Sequence, residues 1–127
     1  MNKNFILKTF NNHFKEFMDD IITVFPRELD LKTSRTFLSG MIKVKKKIGI
    51  ESWYNWVYKP YKENIDERDF GFFLNKDYTG DVCSNDIVAG IEKIKQKIKL
   101  LSDDSKEKSL NYMYNLSKLS EMYYSNI

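Results

Sequence analysis

An all-α single domain, an irregular bundle of five to six helices, is the fold class the sequence predicts, on three observations. Apolar residues recur every three or four positions through most of the 127-residue chain, which is the period of an amphipathic helix and not of a strand. Glycine and proline number five and two, too few for the turns of a sandwich or barrel. The 42% hydrophobic and 31% charged content is that of a globular chain, able to bury about two-thirds of its unfolded surface in one core without disulfides or metal. Residues 1–127 are therefore read as one domain.

From Asn4 to Phe25 the residues Ile6, Leu7, Phe10, Phe14, Phe17, Met18, Ile21, Ile22 and Phe25 form one apolar stripe, so the first helix spans this segment. Pro26 ends it, because proline disfavours helical geometry at the residue before it. Asp30 is expected to cap a second helix, with Leu31, Phe37, Leu38, Met41, Ile42 and Val44 inward and Gly40 weakening its middle. A third helix runs from Ile50 to Lys59, with Ile50, Trp53, Tyr54 and Val57 on one face and Trp56 between, and stops at Pro60. Tyr61 to Leu74 reads as a short helical piece and a turn, with Asp69 as a cap. The polar run from Asn75 to Asn85 reads as the longest loop. Asp86 caps a helix carrying Ile87, Ile91, Ile94, Ile98 and Leu101, and Ser102 to Ser105 breaks the chain. The last helix, Lys106 to Tyr124, carries Tyr112, Leu116, Leu119 and Tyr123 on one stripe, with Leu110 and Met113 beside it. The helices Ile87 to Leu101 and Leu110 to Tyr123 are expected to form a C-terminal antiparallel hairpin.

Composition narrows the function classes. Net charge is +3, short of a dedicated nucleic-acid binder, but residues 1–60 hold 11 basic and 6 acidic residues against 10 and 12 in residues 61–127. An anionic partner is expected to meet the first half. One cysteine, Cys83, and one histidine, His13, rule out a disulfide framework and the common Cys/His zinc sites, and Cys83 fits folding in a reducing interior. No stretch approaches the eighteen apolar residues of a membrane span, and no targeting segment is expected.

Catalytic signatures are missing. The glycines at 40, 49, 71, 80 and 90 never cluster into a phosphate-cradling loop. A nucleophile–base pair would have to use His13, which reads as a structural or surface histidine, and Cys83 reads as a loop cysteine without function. Asp19 and Asp20 are neighbours on a helix and point about 100° apart, so they do not form a carboxylate pair.

Two segments carry weaker binding signals. Counting Asn75 as first in a twelve-residue calcium loop places Asp77 third, Thr79 fifth, Gly80 sixth, Asp81 seventh and Asp86 twelfth, in register for the turn glycine and the terminal acid. Few charges and a short last acid make this at most a weak site, and a plain Asx-rich connector is the preferred reading of the loop. Lys43, Lys45, Lys46 and Lys47, extended by Arg35 two turns earlier, are the candidate phosphate-neutralising patch, with Trp56 or Tyr58 as aromatics to stack bases. Cations at a helix C-terminus are also favoured by the dipole alone.

TFNNHFKEFMDDIITVFP at Thr9 to Pro26, DLKTS from Asp30, KDY at Lys76 to Tyr78 and YNLSKLSEMYY near the end resemble a family of short helical proteins encoded by large DNA viruses of algae and other protists. Lysine supplies 18 of the 21 basic residues, in keeping with an AT-rich genome. The family has no motif tied to an activity, so the resemblance implies a setting and no site residues. It implies a host-cell interior, cytoplasm or viral factory, or the virion. The expectation is a non-enzymatic protein–protein interaction or structural protein without a cofactor, such as a minor virion component. Its partner would be a viral or host protein, or a second copy. The high content of Tyr, Trp and Phe suits an interface, whose physical sign would be an apolar patch outside the core. A nucleic-acid-binding accessory role through the basic patch is the alternative, and a calcium module ranks below it.

Overall fold

The computed structural model describes residues 2–69, 71 and 95–125, with no strand among them, and the chain is all-α. Helix α1 spans Lys3–Val24, α2 Leu29–Val44, α3 Ile48–Trp53, α4 Lys62–Asp66 and α5 Asp103–Ser125. Residues 95–98 are also helical. The hairpin expected from Ile87 lies largely outside the described residues, as do Cys83 and the whole Asn75 to Asp86 loop with its calcium register.

Asn2 starts α1, its Oδ1 accepting from the amide of Asn4 at 2.7 Å and that of Phe5 at 3.4 Å, so two of the orphan donors of the first turn are satisfied. The stripe from Ile6 to Ile21 is buried along its length, and Ile22 and Phe25 pack at its edge. Phe25 closes the helix by donating its amide to the carbonyl of Ile21 at 3.0 Å, and Pro26 follows.

Helix α5 lies antiparallel to α1, with Lys3 over the ring of Tyr123 at one end and Lys108 on Asp20 at the other. Ser102 caps it, its Oγ accepting from the amide of Ser105 at 3.4 Å. The helix therefore begins at Asp103 and not at Lys106, with Asp103 and Asp104 in the first turn, where the dipole favours anions. Its buried stripe is Ser109, Met113, Leu116, Ser117, Ser120 and Tyr123. Tyr112 and Leu119, read from sequence as central, are half-buried flanks. Serines at the contact let α1 and Trp53 come close to the α5 backbone. Trp53, 1% exposed, meets the ring of Phe14 edge-on at 6.1 Å.

Pro60 does not stop the third helix. Tyr54–Tyr58 widens into a π-helical turn in which the amide of Lys59 donates to the carbonyl of Tyr54, and Lys59–Tyr61 follows as a 3₁₀ turn leading into α4. Proline costs an α-helix a hydrogen bond and clashes with the carbonyl four residues back, and the wide turn carries the chain past that clash. The change of pitch also places Val57 and Tyr58 inside together. Helix α4 ends on Arg68 in the left-handed region, φ 59°. There the amide of Asp69 donates to Asn64 at 2.7 Å and that of Arg68 to Ile65 at 2.9 Å, the paired bonds of a Schellman cap. The Arg68 guanidinium lies over Tyr114, 4.5 Å from the ring centre, and bonds Asn111, which docks α4 on α5.

Candidate functional site

Helix α2 carries two apolar stripes, and only one is covered. Leu31, Leu38 and Ile42 are buried, and Met41 packs against the core. Phe37 and Val44, expected inward, point out instead, 47% and 91% exposed, as does Leu29 at 73%. Each helical residue turns by about 100°, so Phe37, one step from Leu38, and Val44, two steps from Ile42, cannot share their direction once Leu31, Leu38 and Ile42 have turned inward. Asp30 does not occupy the N-cap position. Glu28 holds it, without a side-chain bond to the helix, and α2 starts at Leu29. The Glu28 carboxylate pairs with Lys97 at 3.1 Å.

On the same helical wheel, Leu29, Thr33, Phe37, Gly40 and Val44 fall within an arc of about 80°. They form a ridge about 22 Å long at 1.5 Å per residue. At its C-terminal end the ridge borders a shallow groove of about 510 Å³ floored by Phe37, Gly40, Met41, Val44 and Ile48. Gly40 keeps that floor open, since a Cβ placed there meets no atom within 4 Å. Lys32 and Lys43 flank the ridge on one side and Lys45 on the other, all exposed. The surface is apolar in the middle, with lysines along one edge and Lys45 at the C-terminal end of the other.

The predicted basic patch is redistributed. Lys43, Lys45, Lys46 and Lys47 are exposed at the end of α2 and the link to α3. Arg35 does not extend them: its Nε donates to Asp19 Oδ1 at 2.9 Å, its Nη2 to Asp19 Oδ2 at 3.4 Å and its Nη1 to Ser39 at 2.6 Å, so it joins α2 to α1. Tyr58 is not available to stack bases. It is 2% exposed and donates its hydroxyl to Glu121, while Trp56 packs half-buried against the core. A hydroxyl donor and an exposed ring are different uses of a tyrosine, and sequence period alone does not separate them.

Asp19 and Asp20 diverge as neighbours on a helix must. Asp19 reaches α2, and Asp20 reaches α5, accepting from the Tyr112 hydroxyl at 2.8 Å and pairing with Lys108 at 3.1 Å. Burial pushes the Asp20 carboxyl up, but the bonds from Tyr112 and Lys108 outweigh it and hold it below its ordinary 3.8. The Tyr112 hydroxyl is pushed up to about 12 by burial and by the carboxylate it faces. His13 lies against Tyr112, ring centres 4.7 Å apart, with Nε2 buried and unbonded among the described residues. It serves as packing.

Among the described residues no three His, Cys, Asp or Glu side chains gather to hold a metal ion, and no described helix is long and apolar enough to cross a membrane. No family model, curated protein or solved structure matches the chain.

Proposed function

We propose that the protein is a non-enzymatic docking module whose outward α2 face takes an amphipathic helix from a partner protein, apolar along its centre and acidic at its edges. The observation that carries this reading is the uncovered ridge of Leu29, Phe37 and Val44 with Gly40 open between them. Helix-in-groove recognition uses anchors at such i, i+3, i+4 and i+7 positions. Charge selects the occupant. Lys32, Lys43 and Lys45 border the ridge and are exposed, so Glu or Asp flanks on a partner helix would be met by opposite charge. The resemblance to short proteins of large DNA viruses supports a minor virion component as the setting, and mass spectrometry of purified particles tests that.

The surface is tested with a labelled helical peptide bearing a leucine stripe and glutamate flanks, against the same peptide with lysine flanks, titrated into wild type and Val44→Asp. Expected are binding of the acidic peptide to wild type, at least about tenfold weaker binding to the variant, the step that 1.4 kcal/mol gives, and little binding of the lysine peptide. Equal binding of both peptides, or binding unchanged in the variant, overturns the reading. So does a wild-type dimer in sedimentation that Val44→Asp dissolves, or a nuclear Overhauser contact between the Phe37 ring and residues 72–94, since the face would then be covered by a copy or by the chain itself.

A further inference from the structure

The other flank of α2 faces a second concavity, which shares Lys43 with the border of the docking ridge. A groove of about 510 Å³ separates the end of α2 from the first half of α1. Leu7 and Ile42 contribute apolar lining, and four lysines from two distant stretches of sequence converge on it: Lys8 and Lys15 from α1, Lys43 and Lys46 from the end of α2 and its link to α3. Lys8 and Lys15 are seven residues apart, about 10 Å along the helix. Asn11, 8% exposed, anchors the opposite wall by donating its Nδ2 to the backbone carbonyl of Lys46 at 3.1 Å. Asn4 and Asn12 add amides at the lining.

Among the described residues no carboxylate lines this groove, and none of the four lysines forms an ion pair. Four cations elsewhere are paired, Arg35 with Asp19, Lys97 with Glu28, Lys108 with Asp20, and Lys118 with Asp66 and Glu121; what sets the groove apart is that four unpaired lysines share one concavity. Four like charges around one bowl repel, and a multivalent anion seated among them relieves that repulsion. Lysine ammoniums are point-charge binders of phosphate, and the asparagine amides add donors to phosphate oxygens. The volume lies within the range of small-ligand sites. No aromatic among the described residues lines the groove, so the phosphates themselves are the feature held.

We propose that this groove binds a compact polyphosphate anion, one with two or more adjacent phosphate groups. Inorganic polyphosphate, a nucleoside triphosphate and a phosphorylated polyol share that chemistry.

The test is thermal unfolding of the full chain at 50 mM salt with sodium tripolyphosphate, ATP or inositol hexakisphosphate, and with sodium sulfate matched in ionic strength. The proteins are wild type, Lys8→Met/Lys46→Met, and Lys59→Met/Lys62→Met, which loses the same charge elsewhere. A ligand that binds only the folded state raises Tm by mass action. Expected is a concentration-dependent rise with tripolyphosphate in wild type and in the Lys59/Lys62 variant, at least halved in the Lys8/Lys46 variant, and well above the rise with sulfate. Circular dichroism checks that both variants fold. Which of ATP and inositol hexakisphosphate gives the larger rise distinguishes the source of the phosphates. No rise in wild type, an equal rise with sulfate, or equal loss in both variants overturns the proposal. So does anisotropy showing that duplex DNA binds through Lys8 and Lys46 while tripolyphosphate fails to compete.

Discussion

Trp53 Nε1 donates to Ser117 Oγ at 2.9 Å within the core, joining α3 to α5 through residues 64 apart in sequence. The indole is 1% and the serine 1% exposed, so neither group trades this bond for water at no cost. Ser117 is held in turn, because Ser120 Oγ donates to its carbonyl at 2.7 Å. Ser117→Ala removes the acceptor at almost constant volume and is expected to destabilise the fold by about 1–3 kcal/mol, the cost of withdrawing a partner from a buried donor. Urea unfolding followed by tryptophan fluorescence measures it, and a midpoint equal to wild type would show the bond to be worth nothing.

His13 gives the fold a mildly acid limit. Burial against Tyr112 lowers its pKa from 6.5, and Glu16, whose carboxylate lies 3.7 Å from Nδ1, restores only part. The unfolded chain then takes up the proton first as pH falls. Stability is untouched above pH 6.5 and declines below it toward the folded value. The urea midpoint should drop between pH 7.5 and 5.5 in wild type and drop less in His13→Gln; an equal drop in both assigns the effect to other groups.

Asp20 and Tyr112 set two further limits. Asp20 is held below 3.8 in the folded protein, so its contribution is present above that pH and is lost as pH falls through the folded value. Tyr112, pushed up from 10.0 to about 12, contributes fully below pH 10 and loses that contribution as pH rises through about 12. Tyr112→Phe should cost about 1 kcal/mol at neutral pH and flatten the alkaline decline measured from pH 9 to 11. An unchanged alkaline profile would mean that another tyrosine governs it.

Gly40 separates folding from docking. It is helical and exposed, and a Cβ there meets nothing within 4 Å, so Gly40→Ala should raise stability by about 0.5–1 kcal/mol through backbone entropy. Gly40→Glu is expected to leave the fold near wild type while blocking the acidic peptide, because its carboxylate stands in the middle of the ridge. Thermal melts and peptide titration of both variants check this, and a Gly40→Ala variant less stable than wild type would place a contact at that position.

The limits of sequence reading fall at identifiable residues. Helix α1 was legible because its period has one phase, and Asp19 and Asp20 diverge as the 100° step requires. Helix α2 was not, because Phe37 and Val44 are as apolar as Leu38 and Ile42, and periodicity does not rank two stripes on one helix. Pro60 was read as a stop because the sequence does not announce a π turn that carries the chain past it. The serines at 109, 117 and 120 are polar by type, yet buried, because small side chains fit where helices pack closely.

The basic site divides in the same way. Lys43 to Lys47 was visible as a run, and the charge excess of the first 60 residues was visible as a count. That Lys8 and Lys15 belong with Lys43 and Lys46, and that Arg35 belongs to Asp19, depends on how α1 crosses α2. Local features follow from residue order: the helical class, the core phase of α1, and the proline that follows it. Which stripe of α2 stays uncovered and which lysines share the groove follow from how the helices pack, because burial and ion pairing are properties of residues brought together from distant parts of the chain.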